Sequence, residues 1–236
     1  MLEQTTHWLD IAGTALDGLL LLRVLQLRLH KVYAFVTLAC VLSLFYDVVA
    51  LWLGNESDEF TRVFFYSRFL YALIYPLAAW DVFEQIADQV GRVRRMAMSR
   101  LISALVLTSI LSLIVLGSGE GESSGTASAT DLVAIILWAG TSTASLAFLF
   151  TMGRILRAQH LELPNNTFVW MRYFQLSFLA EAVSCFLSLT MSLIKNPTNV
   201  AVINISLISF EIAITVWCLL RLRMIQSNVP SAPQQA

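Results

Sequence analysis

Apolar residues dominate seven stretches of the chain, and polar residues gather in the short segments between them. The stretches run from Trp8 to Leu27, Val32 to Leu53, Val63 to Ala87, Leu101 to Leu116, Leu132 to Gly153, Phe168 to Ile194 and Val200 to Leu220. Most are close to the roughly 18 to 25 residues that cross a hydrocarbon core of about 30 Å as a helix. None keeps the strict apolar–polar alternation of a barrel strand, and within lipid only helices and closed barrels satisfy every backbone N–H and C=O. The pattern therefore predicts an all-α fold, a polytopic membrane protein built as a seven-transmembrane-helix bundle.

Composition agrees with that reading. Hydrophobic residues make up 57% of the 236-residue chain and charged residues only 13%, against about 45–50% and about 25% in ordinary globular domains. Net charge is −1, so total charge points to no partner and gives no basis for nucleic-acid binding. Its distribution is more informative. Twelve of the fifteen basic residues fall at one end of the predicted spans: Arg23, Arg28 and Lys31, then Arg92, Arg94, Arg95 and Arg100, then Arg154, Arg157 and Arg172, and finally Arg221 and Arg223. The opposite end carries Glu3, Glu56, Asp58, Glu59, Glu120 and Glu122. By the positive-inside rule the N-terminus is expected outside and the C-terminus in the cytoplasm, as an odd number of spans requires.

Residues 1–225 are expected to form one transmembrane domain and 226–236 a short disordered cytoplasmic tail, which is polar and proline-containing. The first span has no cationic leader and holds Asp10 and Asp17, so it reads as a retained helix and not a removed signal peptide. The stretch "GSGEGESSGTASAT", 117 to 130, is glycine-rich, but it is acidic and lacks the lysine of a phosphate loop; it reads as a flexible outer linker. Cys40, Cys185 and Cys218 lie singly inside spans and read as small packing residues. The membrane serines and threonines of "TSTAS" (141 to 145) and "SALVLTSILS" (103 to 112) read as close-packing positions.

Charges inside the spans are the candidate chemistry. A charged side chain at mid-bilayer costs about 2.5–3.5 kcal/mol on insertion scales, so such residues face the bundle interior and find partners. Asp17, Glu181 and Glu211 come out near mid-depth on spans one, six and seven, each on its helix's most polar stripe. If those spans are neighbours, the three acids share one pocket. Nearer the outside, Asp47 and Arg68 reach similar depth and could form an ion pair, with Asp10 close by. Arg68 shares a face with Phe64, Tyr71 and Tyr75, and Pro76 interrupts the backbone ladder just below them. Asp81, Glu84 and Asp88 line the inner end of span three, where they could meet Arg92, Arg94, Arg154 or Arg172 in a helix-end ion network.

The ligand or ion pocket is therefore expected among Asp17, Asp47, Arg68, Tyr71, Tyr75, Glu181 and Glu211. Its acids have three readings: interhelical hydrogen bonds that fix packing, a proton or cation path, or orienting contacts for a ligand. No catalytic motif accompanies them. His7, His30 and His160 sit at membrane edges without metal-ligand spacing, and no nucleophile elbow is present. No cofactor is expected. The seven-helix, N-outside layout is similar to that of microbial rhodopsins, with a likeness in span three through Arg68, Pro76 and Asp81. However, the lysine that such proteins need for a retinal Schiff base is missing from the last span, since the only lysines are Lys31 and Lys195.

The expectation is a noncatalytic protein of a bacterial-type inner membrane, sensor-like or an interaction subunit, that binds a small ligand or partner through a polar bundle interior. The basic inner edge offers a surface to a cytoplasmic protein. The alternative is a proton- or cation-coupled transporter using the mid-membrane carboxylates, with a membrane-embedded enzyme a distant third.

Overall fold

The computed structural model describes residues 2–54, 57–87, 98–99, 101–103, 105–110, 114, 129–158, 160, 163–190 and 197–223. Among these residues the only regular structure is helical. The main helices are α1 (Leu2–Gln26), α2 (Ala34–Leu53) and α3 (Asp58–Ala87), then the shorter α4 (Leu101–Ile110), and α5 (Ala129–Ala158), α6 (Asn165–Thr190) and α7 (Pro197–Arg221). They overlap the seven apolar stretches, with some ends differing by five or six residues, as where α1 starts at Leu2 and α5 ends at Ala158. The linker 117–128 and the tail lie outside the described residues, as do Asp88, Arg92 and Arg94 of the expected inner network.

Four helices contain a segment long and apolar enough to cross a membrane: Ala34–Leu53 in α2, Glu59–Gln85 in α3, Val133–Ala158 in α5 and Val202–Arg221 in α7. By the same measure α1 and α6, of 25 and 26 residues, are long enough but too polar. The outer surface carries Leu19, Leu22, Phe45, Trp52, Leu73, Leu107 and Leu220, all exposed. Apolar side chains spread over so many helices befit a lipid-facing surface.

Helix ends follow local rules. Gly54, at φ 76°, closes α2 by donating its N–H to the Ala50 carbonyl at 3.0 Å, a left-handed position that suits glycine. Ser57 caps α3 by accepting the Phe60 N–H at 3.0 Å. The start of α2 has no cap of its own, and Asp81 from the C-terminal part of α3 supplies one: its Oδ2 accepts the N–H groups of Phe35 at 2.8 Å and Val36 at 3.2 Å. Asp81 is thereby buried as a cap in trans, and the expected helix-end ion network lies partly outside the described residues. Arg172 likewise donates to Gln175 at 3.2 Å, and Gln175 donates to the Leu149 carbonyl. At the C-terminal end Asn166 grips the backbone of Arg223 from both sides, accepting its N–H at 2.9 Å and donating to its carbonyl at 2.7 Å.

The helices form a ring in the order α1, α2, α3, α5, α6, α7 and back to α1, with α3 and α6 also touching across it. α4 approaches α5 at Thr108, and its Leu101 belongs to the buried core. Gly140 makes that approach possible, because a Cβ there would collide with the Thr108 side chain. On the same helix Ser142 and Ser145 are fully buried small residues, in keeping with close packing. Through the core runs a column of rings: Tyr46 to Tyr71 at 6.3 Å, Tyr71 to Tyr75 at 5.0 Å, Tyr75 to Phe178 at 4.9 Å and Phe178 to Phe174 at 5.3 Å between centroids. It forms one wall of the polar interior.

Candidate functional site: an acid-lined cavity

Between the N-terminal half of α1, the C-terminal half of α2, the first turns of α3 and the middle of α7 lies a cavity of about 460 Å³. Its charged walls are Asp10, Asp17, Asp47 and Glu211, and among the described residues neither lysine nor arginine lines it. Tyr46, Phe60 and Phe64 give it an aromatic side, and His7 and Gly54 lie where it reaches the helix ends. Gly13 faces open space, with nothing within 4 Å of where a Cβ would be. The volume is within the range that holds small ligands.

Asp17 is held in place by the Ser43 hydroxyl, which donates to its Oδ2 at 2.6 Å. Asp47, one turn beyond Ser43 on α2, approaches Asp17 as a hydrogen-bonding partner. Glu211 comes from α7, which packs directly on α1. Asp17 has Gly13 and Thr14 one turn before it, Asp47 has Ser43 and Ala50 on its face, and Glu211 has Thr215 one turn after it. That spacing turns the polar stripe of α1 toward the ring interior.

A second, smaller chamber of about 50 Å³ lies behind the first, and Asp17 and Ser43 line both. Its other walls include Tyr71 and Tyr75 of α3, and Tyr173 and Ser177 of α6. Tyr75 donates its hydroxyl proton to Glu181 Oε1 at 2.9 Å. Glu181 therefore lies behind the tyrosines and does not line the cavity that holds Asp17 and Glu211.

Arg68 occupies a separate box. Its guanidinium carbon lies 3.9 Å from the Trp138 ring centroid and 4.1 Å from that of Phe64, with Tyr46 and Tyr71 at 5.2 and 5.4 Å. Such contacts stabilise a desolvated cation by roughly 0.5–2 kcal/mol each. Its Nη2 is 3.5 Å from the Tyr46 hydroxyl, and Glu181 is the acid whose charge acts on it most strongly. The Arg68–Asp47 pairing expected from depth is replaced by two other relationships, Arg68 with Tyr46 and Glu181, and Asp47 with Asp17. Matching depth did not fix which side of each helix met which neighbour.

Of the seven expected pocket residues, Asp17, Asp47 and Glu211 share the cavity, Tyr71 and Tyr75 line the inner chamber, Glu181 is bonded to Tyr75, and Arg68 is enclosed by rings. Ser43, Tyr46, Phe60 and Gly13 were missed as lining residues. Ser43 carried a readable signal, standing one helical turn before Asp47 in an otherwise apolar run. Among the described residues no group of three histidine, cysteine or carboxylate side chains is placed to hold a metal ion. Comparison with protein-family models, with characterised proteins and with solved structures finds no match to this chain.

Proposed function

We propose that the chain is a noncatalytic multi-pass protein of an inner membrane, a sensor-like or interaction subunit whose polar cavity binds a small organic cation. All seven helices span the bilayer in this reading, with the N-terminus outside and the C-terminus in the cytoplasm. The greater polarity of α1 and α6 does not argue against it, since Asp17, Tyr173 and Ser177 lie on cavity walls and not against lipid. The arginine-rich inner edge then remains open to a cytoplasmic protein partner.

The observation that carries the reading is the cavity wall: among the described residues it has four carboxyl groups and no lysine or arginine lining it, next to three aromatic rings. Carboxylates attract a positive charge and ring faces favour a spread, weakly hydrated one. The lack of a metal-type cluster among the described residues favours an organic amine over a bare ion. The test uses the full chain in lipid nanodiscs, screened against amines by calorimetry or thermal shift. Gly13→Phe fills open space in the cavity without removing any charge, so it should abolish binding while leaving the fold intact. Asp17→Asn or Glu211→Gln should weaken binding by about tenfold or more, the loss of one charge-assisted contact. Unaltered binding in all three variants would place the ligand elsewhere.

The second reading, a proton- or cation-coupled transporter, draws support from the paired carboxyls Asp17 and Asp47. It predicts pH-driven uptake into proteoliposomes that Glu211→Gln removes.

A further inference from the structure

We infer that the inner chamber is a water site that connects the half-buried Glu181, by proton transfer, to the acid-lined cavity. The chamber's volume of about 50 Å³ is several times the ~10–15 Å³ that one water needs by the same measure. Its polar rim offers the two to four partners a buried water requires: Asp17 and Ser43 on the cavity side, Tyr71, Tyr75 and Ser177 within.

A second observation comes from Tyr71. Its side chain is 96% buried, being only 4% exposed, and it lines the chamber. Its contacts are with the rings of Tyr46 and Tyr75 and with Arg68. A hydroxyl on the wall of such a chamber is satisfied by an ordered water within it. The two ends of the route are already hydrogen-bonded, Ser43 to Asp17 at 2.6 Å and Tyr75 to Glu181 at 2.9 Å. Water in between completes a chain from cavity to core.

Proton movement along it balances without any other reactant. The Asp17 carboxyl releases a proton to chamber water, water passes one to the Tyr75 oxygen, and the proton Tyr75 already held moves along its bond to Glu181 Oε1. Asp17 ends as carboxylate and Glu181 as carboxylic acid, and the return path is the reverse. The groups acting on Glu181 are Arg68, Tyr71 and Tyr75 from α3, Tyr46 from α2, Glu211 from α7 and Cys185 on its own helix. Against α5 it faces the Trp138 ring. Only Arg68 among them is a fixed cation, so gain of a proton by Glu181 removes the partner of a buried guanidinium. The inference requires the chamber and its shared wall, and holds whatever ligand enters the cavity.

Hydroxyl-radical footprinting of the full chain in nanodiscs, read by mass spectrometry, tests the water. Tyr33 is the dry reference, since it is 3% exposed, bonded to Thr167 at 2.9 Å and lines neither cavity. Tyr71 and Tyr75 should be modified about tenfold faster than Tyr33, and Ser177→Leu, which fills the chamber, should bring them down to it. Equal modification of the three tyrosines in the wild type would overturn the inference, and that comparison stands even if Ser177→Leu misfolds. The proton route is read by infrared difference spectroscopy after an external pH step. A carboxyl band that Glu181→Gln removes should respond in the wild type and respond more slowly in Ser177→Leu. No Glu181 band at any pH, or one whose rate ignores the filled chamber, would refute the route.

Discussion

Arg68 illustrates how much a single residue depends on its surroundings. It is buried, its cation is spread over four ring faces, and Glu181 supplies the opposing charge. Removing one member of such a pair leaves the other charge buried and uncompensated, which costs about 3–5 kcal/mol where the pair is tight. Arg68→Leu should therefore destabilise the protein by about 2 kcal/mol or more, and Glu181→Gln added to it should recover part of that loss. Thermal denaturation in detergent of the wild type, both single variants and the double variant checks this. Strict additivity would show that the two residues do not interact. From sequence, Arg68 was legible as an interior cation with Tyr71 and Tyr75 on its face. Its enclosure by Trp138 was not, because that ring arrives from α5, far along the chain.

At the level of helices, two contacts between elements decide the packing. Asp81 caps α2 from α3, and a lost cap costs about 0.5–2 kcal/mol. Asp81→Ala should lower stability by about that amount and loosen the first turn of α2, with faster amide exchange at Phe35, Val36 and Thr37 than at the helix centre. Exchange there equal to the wild type would rule out the capping role. Gly140 lets α4 lie against α5 at Thr108, so Gly140→Leu should cost about 1–3 kcal/mol by overpacking, and Thr108→Ala in the same chain should relieve much of it. A stability measurement on the pair settles the contact. Neither device is visible in periodicity alone. The spacing of Asp81, Glu84 and Asp88 announces a shared face but leaves open what that face meets, and a backbone N–H at the start of the preceding helix competes there with any arginine.

For the molecule as a whole, charge asymmetry and the ring of helices together give the cavity a side. Its lining comes from the end of the bundle opposite those clustered basic residues that are described, such as Arg23, Arg157 and Arg221, which in the proposed orientation is the outside. Single cysteines placed at Gln4 and at Arg157, in a background where Cys40, Cys185 and Cys218 are replaced by alanine, should be labelled by an impermeant thiol reagent from opposite faces of intact cells. Gln4 should react from outside and Arg157 only after lysis. Labelling of both from the same side would invert or dismantle the topology, and with it the side from which a cation enters.

The sequence by itself determined the helices and their interior stripes, because in lipid an apolar run must satisfy its own backbone and a charge must turn away from hydrocarbon. Those rules are local, so Asp17, Asp47 and Glu211 could be marked as inward-facing; all three line one cavity, but Glu211 is itself exposed while Asp17 and Asp47 are half-buried. Which acid meets which partner was decided only by the tertiary structure. The ring order sets α7 and α2 on either side of α1, so Asp17 meets Asp47 and lies near Glu211, while the contact of α3 with α6 draws Glu181 to Tyr75 instead. Depth along a helix follows from counting residues; the azimuth at which two helices face each other depends on the fit of all their side chains at once.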